Sequence, residues 1–76
     1  MMSQIPVINM EKTGANIRTL RKQAGLSVRD LQQVFGFNAP QAIYKWESGA
    51  SLPTVDNLVI LSCALCVDMD KILVCD

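Results

Sequence analysis

The chain has 76 residues, of which half are apolar and 18% are charged, and its formal net charge at pH 7 is zero. This composition excludes an intrinsically disordered chain, and the length predicts one small domain whose core is marginal unless a partner adds to it. The sequence contains no histidine, so it lacks the usual general base and the commonest nitrogen ligand of metals. We therefore predict a protein that is not an enzyme and holds no metal or other cofactor.

The charges are unevenly distributed along the chain. Residues 1–45 carry six basic and two acidic side chains, whereas residues 46–76 carry one basic and five acidic side chains. Such a distribution can orient a domain on a polyanion although the total charge is zero. The longest apolar run, LVILSCALCV at residues 58–67, is about half as long as a membrane-spanning helix requires. The first residues also lack the positively charged region with which a secretory signal peptide begins. We therefore expect a cytoplasmic protein without a membrane partner.

The N-terminal third of the chain predicts an arm followed by one helix. Residues 1–10 show no helical periodicity and contain Pro6, which predicts a flexible arm in front of a domain at residues 11–76. Helix 1 is predicted over residues 11–24, where Gly25 stops it. Its inward side chains are Ile17, Leu20 and Ala24, and its solvent-facing side chains are Arg18, Arg21 and Lys22.

Two short helices are predicted next. Ser27 is a good N-cap for helix 2, which ends at Gly36. Pro40 suits the first turn of helix 3, which extends to about Glu47 and stops at Gly49. The apolar residues that predict the inner faces of these helices are Val28, Leu31, Val34, Phe35, Ile43 and Trp46.

The C-terminal part of the chain predicts two further helices. Helix 4 extends from a cap at Thr54 to about Cys66, with Leu58, Leu61 and Leu65 on its inner stripe. A last short helix is predicted over residues 69–74, capped by Asp68. No stretch has the alternation of a β-strand. We predict an all-α fold, a compact five-helix bundle.

Several segments carry a family resemblance. IRTLRKQAGLS, WESGASLP and the C-terminal VDMDKIL contribute most to it. Over about residues 17–73 the sequence resembles the lambda-repressor-like, Cro and XRE-type helix-turn-helix family. This resemblance implies a DNA-binding domain in which helices 2 and 3 form the helix-turn-helix and helix 3 enters the major groove.

The resemblance also implies where DNA would be contacted. The base-contacting candidates on helix 3 are Gln41, Ala42, Tyr44 and Lys45. The phosphate-contacting candidates are Ser27, Arg29, Asn38, Arg18 and Lys22. The core anchors are Leu31, Ile43, Trp46, Leu58 and Leu61. The alternative for helix 3 is a polar surface helix without a ligand.

Four positions need comment beside the family pattern. Glu47 resembles the acid that ends helix 3 and pairs with a basic residue, here Arg18 or Arg21, unless it is simply solvated. Val28 replaces a phosphate-contacting glutamine. Gln32 replaces a small alanine, and a turn longer by one residue can make room for it. Cys66 replaces the glycine that ends helix 4.

The three cysteines, Cys63, Cys66 and Cys75, are predicted to be free thiols, because they are odd in number and close in sequence. Cys63 and Cys66 form a CxxC pair. Redox or metal-sensing chemistry is one interpretation of this pair, and ordinary packing and surface cysteine is the other. Metal binding is not predicted, since a fourth ligand is missing.

We expect a sequence-specific double-stranded DNA-binding transcriptional regulator, a repressor that binds a pseudo-palindromic operator as a homodimer. The alternative is an antitoxin or another protein-interaction module of the same fold, with a protein as its partner. The C-terminal apolar residues fit either of two roles, which are a contact between subunits and closure of the core. These residues are Val67, Met69, Ile72, Val74 and Cys75.

Overall fold

The computed structural model describes residues 5–76, and its secondary structure is helical. Its elements are α1 (Met10–Gln23), α2 (Val28–Phe35), α3 (Gln41–Ser48), α4 (Val55–Leu65) and a 3-10 helix (Met69–Lys71). The described residues form no strand beyond one isolated antiparallel bridge, which joins Ile8 to Cys75. The all-α fold class is therefore confirmed. Within residues 5–76, none of the helices has both the length and the apolar character needed to cross a membrane.

The predicted count of five helices is wrong. The last element is a single 3-10 turn that ends at Lys71, not a helix over residues 69–74. Beyond it the backbone bonds to the N-terminal part of the domain: the Val74 amide donates to the Thr13 hydroxyl at 2.9 Å, and the Asn9 amide donates to the Val74 carbonyl at 2.7 Å. Because these long-range bonds occupy the backbone groups, the segment stays extended.

The predicted N-terminal arm is only partly described. Residues 1–4 lie outside the described part of the chain. Residues 5–9 precede α1, and the Asp76 amide donates to the Val7 carbonyl at 2.9 Å. The side chain of Asn9 caps α1 by accepting a 2.8 Å hydrogen bond from the Lys12 amide. The end of the predicted arm that adjoins α1 is thus hydrogen-bonded to the C-terminal segment.

The helix ends are determined largely by local chemistry. Ser27 and Asp30 form a reciprocal capping box at the start of α2, with N···O distances of 2.8 and 3.0 Å. Gly36 and Gly49 end α2 and α3 in the left-handed conformation. Cys66 ends α4 in the same conformation, with φ of 57°. Because cysteine has a Cβ atom, this conformation has a steric cost that glycine would avoid.

The core lies between the four helices and the segment after the 3-10 helix. Its buried apolar members are Ile17, Leu31, Ile43, Trp46, Leu61, Leu65 and Ile72. Leu58 is half-buried against this cluster. Phe35 and Phe37 are stacked with ring centroids 5.0 Å apart, and each meets the Trp46 ring edge-on, at 5.3 and 6.0 Å. Ile72 belongs to the core and is unavailable for a subunit contact.

Three side-chain orientations differ from the sequence prediction. Arg21, predicted to face solvent, is only 7% exposed, because it forms an ion pair inside the domain. Ala24 is exposed, since it caps the end of α1 and lies past its buried face. Val34 is 52% exposed, because α2 turns Leu31 and Phe35 toward the core and leaves Val34 outside.

α1 and α3 approach each other closely at Gly14 of α1. A Cβ atom at this position would lie 2.4 Å from the Trp46 carbonyl oxygen and 2.6 Å from that of Glu47. These distances are shorter than any side chain tolerates, so α1 can pass the C-terminal end of α3 only where it has no side chain. This contact holds the α3 helix against the domain.

Candidate nucleic-acid interface

α3 has one buried face and one exposed face. Ile43 and Trp46 are buried, which anchors the helix, while Gln41, Tyr44 and Lys45 are exposed. Tyr44 is 56% exposed, so its ring and hydroxyl are accessible from solvent. Ala42 differs from its predicted companions because it is half-buried against the core. The outer face therefore offers an amide, a phenol and an ammonium group.

α1 adds basic residues next to this face. Arg18 lines two surface depressions that also share the Glu47 side chain. The first depression is lined further by Ala15, Thr19 and Lys22, and the second by Arg21, Val28, Tyr44 and Ser48. The structure thus brings Arg18 of α1 beside Tyr44 of α3, and it places Lys22 in the neighbouring depression. Val28, which has no polar group to offer, lies in the wall of the second depression.

The start of α2 is less suited to an anion than its sequence indicates. The Ser27 hydroxyl accepts from the Asp30 amide, and the Asp30 carboxylate accepts from the Ser27 amide. The hydrogen bonds from the Ser27 amide and hydroxyl hold the pKa of Asp30 below its ordinary value, so this carboxylate is ionised near neutral pH. A fixed negative charge occupies the helix terminus. The exposed Arg29 remains beside it as the basic group of α2.

The turn between α2 and α3 spans residues 36–40. Gln32 donates from its side-chain amide to the Phe37 carbonyl at 3.3 Å, so the glutamine fits this turn by bonding to it. Asn38 is exposed in the turn. The N-cap of α3 is Pro40, and no side chain caps the helix start. The first-turn amides of α3 therefore lack a side-chain acceptor, which favours an anion at this end.

Arg21 and Glu47 form the ion pair beneath this surface. Arg21 Nε donates to Glu47 Oε2 at 2.8 Å, and Nη2 donates to Oε1 at 3.2 Å. Nη1 donates to the Leu26 carbonyl at 2.9 Å, so all three guanidinium nitrogens have acceptors. The hydrogen bond to Glu47 raises the pKa of Arg21 despite the opposing effect of burial. Of the two predicted partners of Glu47, the structure selects Arg21.

The comparison with protein families agrees with this arrangement. A model of the helix-turn-helix family matches residues 17–72, which is more than half of the chain. The chain belongs to the helix-turn-helix family of XRE-type, lambda-repressor-like domains. This is a DNA-binding family whose members generally regulate transcription and are typically not enzymes. A search of curated proteins finds no match to the chain.

In this helix-turn-helix domain, α2 and α3 form the motif and α3 occupies the position of the recognition helix. Sequence reasoning named the exposed residues of α3 but missed Gly14, and it left the partner of Glu47 open between Arg18 and Arg21. Gly14 gave no signal, since a glycine inside a helix looks like a propensity cost. The signal for the inward orientation of Arg21 was the family's pairing of the acid at Glu47 with a basic residue.

Proposed function

We propose that the chain is a sequence-specific double-stranded DNA-binding regulator, and that it represses transcription as a homodimer on a pseudo-palindromic operator. The observation that carries the proposal is α3, which is anchored by Ile43 and Trp46 and exposes Gln41, Tyr44 and Lys45. An anchored helix with polar groups outward has the width and chemistry that a major groove accepts.

Each exposed side chain has a chemical role in the proposal. Gln41 pairs with an adenine through its amide, and Lys45 donates to a guanine or a phosphate. Tyr44 offers its hydroxyl to a phosphate beside Arg18, which lines the same depression. Ala42 is restricted to a methyl contact with thymine, because only part of it is accessible.

The phosphate contacts proposed around α3 differ in strength. Arg18 is the best placed, since it lies beside Tyr44, and Lys22 adds a second positive charge from the depression that it shares with Arg18. Asn38 adjoins the α3 start, where no side chain caps the amides. Arg29 contributes charge from α2. Ser27 is the weakest member, because Asp30 already occupies its amide and hydroxyl.

Dimerisation is proposed from the exposed apolar side chains of α4. Val55, Val59 and Ile60 are 75%, 46% and 40% exposed, and Asp56 is the only charged residue of this helix. A surface with so little charge suits a second copy better than a charged partner. Two α3 helices would then enter successive major grooves about 34 Å apart, where the dimer obstructs polymerase.

A selection experiment tests the proposal. The full chain is incubated with a random double-stranded DNA library at two salt concentrations, and the retained DNA is sequenced. We expect enrichment of an inverted repeat whose half-site spacing reports the dimer geometry. Retention without an enriched sequence, lost at the higher salt, would leave only nonspecific phosphate contact and refute the proposal.

A protein-interaction module, such as an antitoxin, is the second candidate. The zero net charge and the exposed apolar residues Val55, Val59 and Ile60 favour it, since a protein partner can cover these side chains. Purification of the chain with the product of a neighbouring gene distinguishes the two candidates. A stable complex together with an unenriched DNA pool would favour the interaction module.

A further inference from the structure

Cys63 and Cys66 lie together at the C-terminal end of α4, and neither has a role in the DNA contacts proposed above. The Cys66 amide donates to the Cys63 carbonyl at 3.3 Å, which closes a turn between residues i and i+3. Such a turn holds its end Cα atoms within about 7 Å of each other. Disulfides span roughly 4.4–6.8 Å between Cα atoms, so the turn meets the requirement that a disulfide places on the Cα separation.

The Cys66 side chain lies against the backbone of Cys63. Its Sγ atom lies 3.7 Å from the Cys63 carbonyl oxygen, in the position of a weak hydrogen-bond donor. The exposed thiol of Cys66 is therefore held at the last turn of α4, close to the residue that carries the other thiol.

Both thiols are accessible to a small oxidant. Cys63 and Cys66 are exposed, and both line one surface depression together with Ser62, Val67, Asp68 and Lys71. The depression carries one acidic and one basic side chain, so it repels neither an anionic nor a cationic reagent strongly. Cys75 is exposed as well but does not line this depression.

The backbone at Cys66 also differs from the other left-handed positions. Among the described residues it is the only one other than glycine with a positive φ, whereas Gly25, Gly36 and Gly49 take such angles elsewhere. Glycine would adopt this conformation at lower cost. What cysteine adds at this position is a thiol beside Cys63.

We propose that Cys63 and Cys66 form a reversible intramolecular disulfide, with a low-molecular-weight disulfide such as glutathione disulfide as the oxidant. The Cys63 thiolate, after loss of its proton, attacks one sulfur of the oxidant and releases one thiolate. The Cys66 thiolate, after loss of its proton, attacks Cys63 Sγ in the mixed disulfide and releases the second thiolate. The protein loses two protons and two electrons, and the oxidant gains them as two thiols.

The test is a titration of the reduced full chain with glutathione disulfide, followed by thiol counting and intact mass. We expect the free thiols to fall from three to one, with the mass of a monomer lacking two hydrogens. Peptide mapping should join residue 63 to residue 66. Reduction with excess thiol should restore all three thiols. The measurement is independent of DNA binding.

Three variants localise the site. Cys63→Ser and Cys66→Ser should each lose the intramolecular disulfide and keep a glutathione adduct on the remaining thiol of the pair. The matched control, Cys75→Ser, should still form it, with its two thiols falling to none. Three thiols that persist in excess oxidant would overturn the proposal. A persistent glutathione adduct on Cys63 or Cys66 in the unsubstituted chain, a bond to Cys75 or a disulfide between two chains would overturn it as well.

Discussion

Arg21 of α1 and Glu47 of α3 are joined by two hydrogen bonds, of 2.8 and 3.2 Å, and both side chains are largely buried. The pair lines one depression together with Arg18 and Tyr44, two of the residues proposed to contact DNA. Because the two charges are shielded from water, each charge is stabilised mainly by its partner. The exposed face of α3 is therefore supported by an ion pair as well as by apolar packing.

Removing one partner of this pair should destabilise the domain strongly. We expect Arg21→Met to lower the free energy of unfolding by about 3 kcal/mol, because Glu47 is left with an uncompensated charge. Urea denaturation monitored by circular dichroism measures it. Arg18→Met is the matched control on the exposed side of α1 and should change stability by less than about 0.5 kcal/mol. Equal effects of the two substitutions would show that the ion pair is unimportant.

Gly14→Ala should also destabilise the domain, by about 2 kcal/mol or more, since its Cβ would overlap the Trp46 carbonyl. In an unobstructed helix the same substitution stabilises by roughly 0.5–1 kcal/mol, so the sign of the change is diagnostic. Thermal unfolding gives the sign directly. Gln23→Ala, at the exposed end of α1, is the control and should have little effect. A higher melting temperature for Gly14→Ala would contradict the close helix contact.

Glycine substitutions at the two cysteines of α4 should have opposite effects on stability. Cys66→Gly should stabilise the domain by about 1 kcal/mol, because it removes the cost of a Cβ at a φ of 57°. Cys63→Gly, one turn earlier inside α4, should destabilise it by about 1 kcal/mol through lost helix propensity. Denaturant unfolding under reducing conditions compares the two. A loss of stability in both variants would mean that the left-handed conformation carries no cost.

Acid should weaken the start of α2. Hydrogen bonds from Ser27 hold the pKa of Asp30 below its ordinary value, so the folded state binds this proton less readily than the unfolded state. The contribution of Asp30 to stability is therefore complete above about pH 4, the unfolded value, and disappears as the pH falls through the lower folded value. In Asp30→Asn, stability measured from pH 6 to pH 2 should fall less than in the unsubstituted chain. Asp70→Asn, an exposed control, should follow the unsubstituted profile.

Substitutions on the exposed face of α3 should weaken DNA binding without unfolding the domain. Gln41→Ala and Lys45→Ala should each cost roughly 1–3 kcal/mol of specific binding if they contact bases. If Lys45 contacts a phosphate, its loss should reduce the salt slope by about one instead. Fluorescence anisotropy with the selected operator measures both quantities. Lys71→Ala removes the same charge from the 3-10 helix and should leave binding unchanged. Unaltered affinity in both α3 variants would exclude α3 as the recognition helix.

The sequence by itself determined the features that depend on neighbouring residues. Ser27, Gly36 and Gly49 mark the ends of α2 and α3 because caps and left-handed turns act within a few residues. The spacing of Ile43 and Trp46 likewise predicted the buried face of α3, and with it the exposed residues opposite. These local signals predicted the all-α class, and the resemblance carried by IRTLRKQAGLS, WESGASLP and VDMDKIL identified the helix-turn-helix.

Only the tertiary structure decided the features that join distant parts of the chain. Arg21 faces inward because Glu47 lies opposite it, and Gly14 is needed because α3 ends against it. The expected fifth helix shortens to one turn because Asn9 and Thr13 bond to Val74. Helical periodicity cannot anticipate such effects, since each depends on a partner more than 25 residues away in sequence.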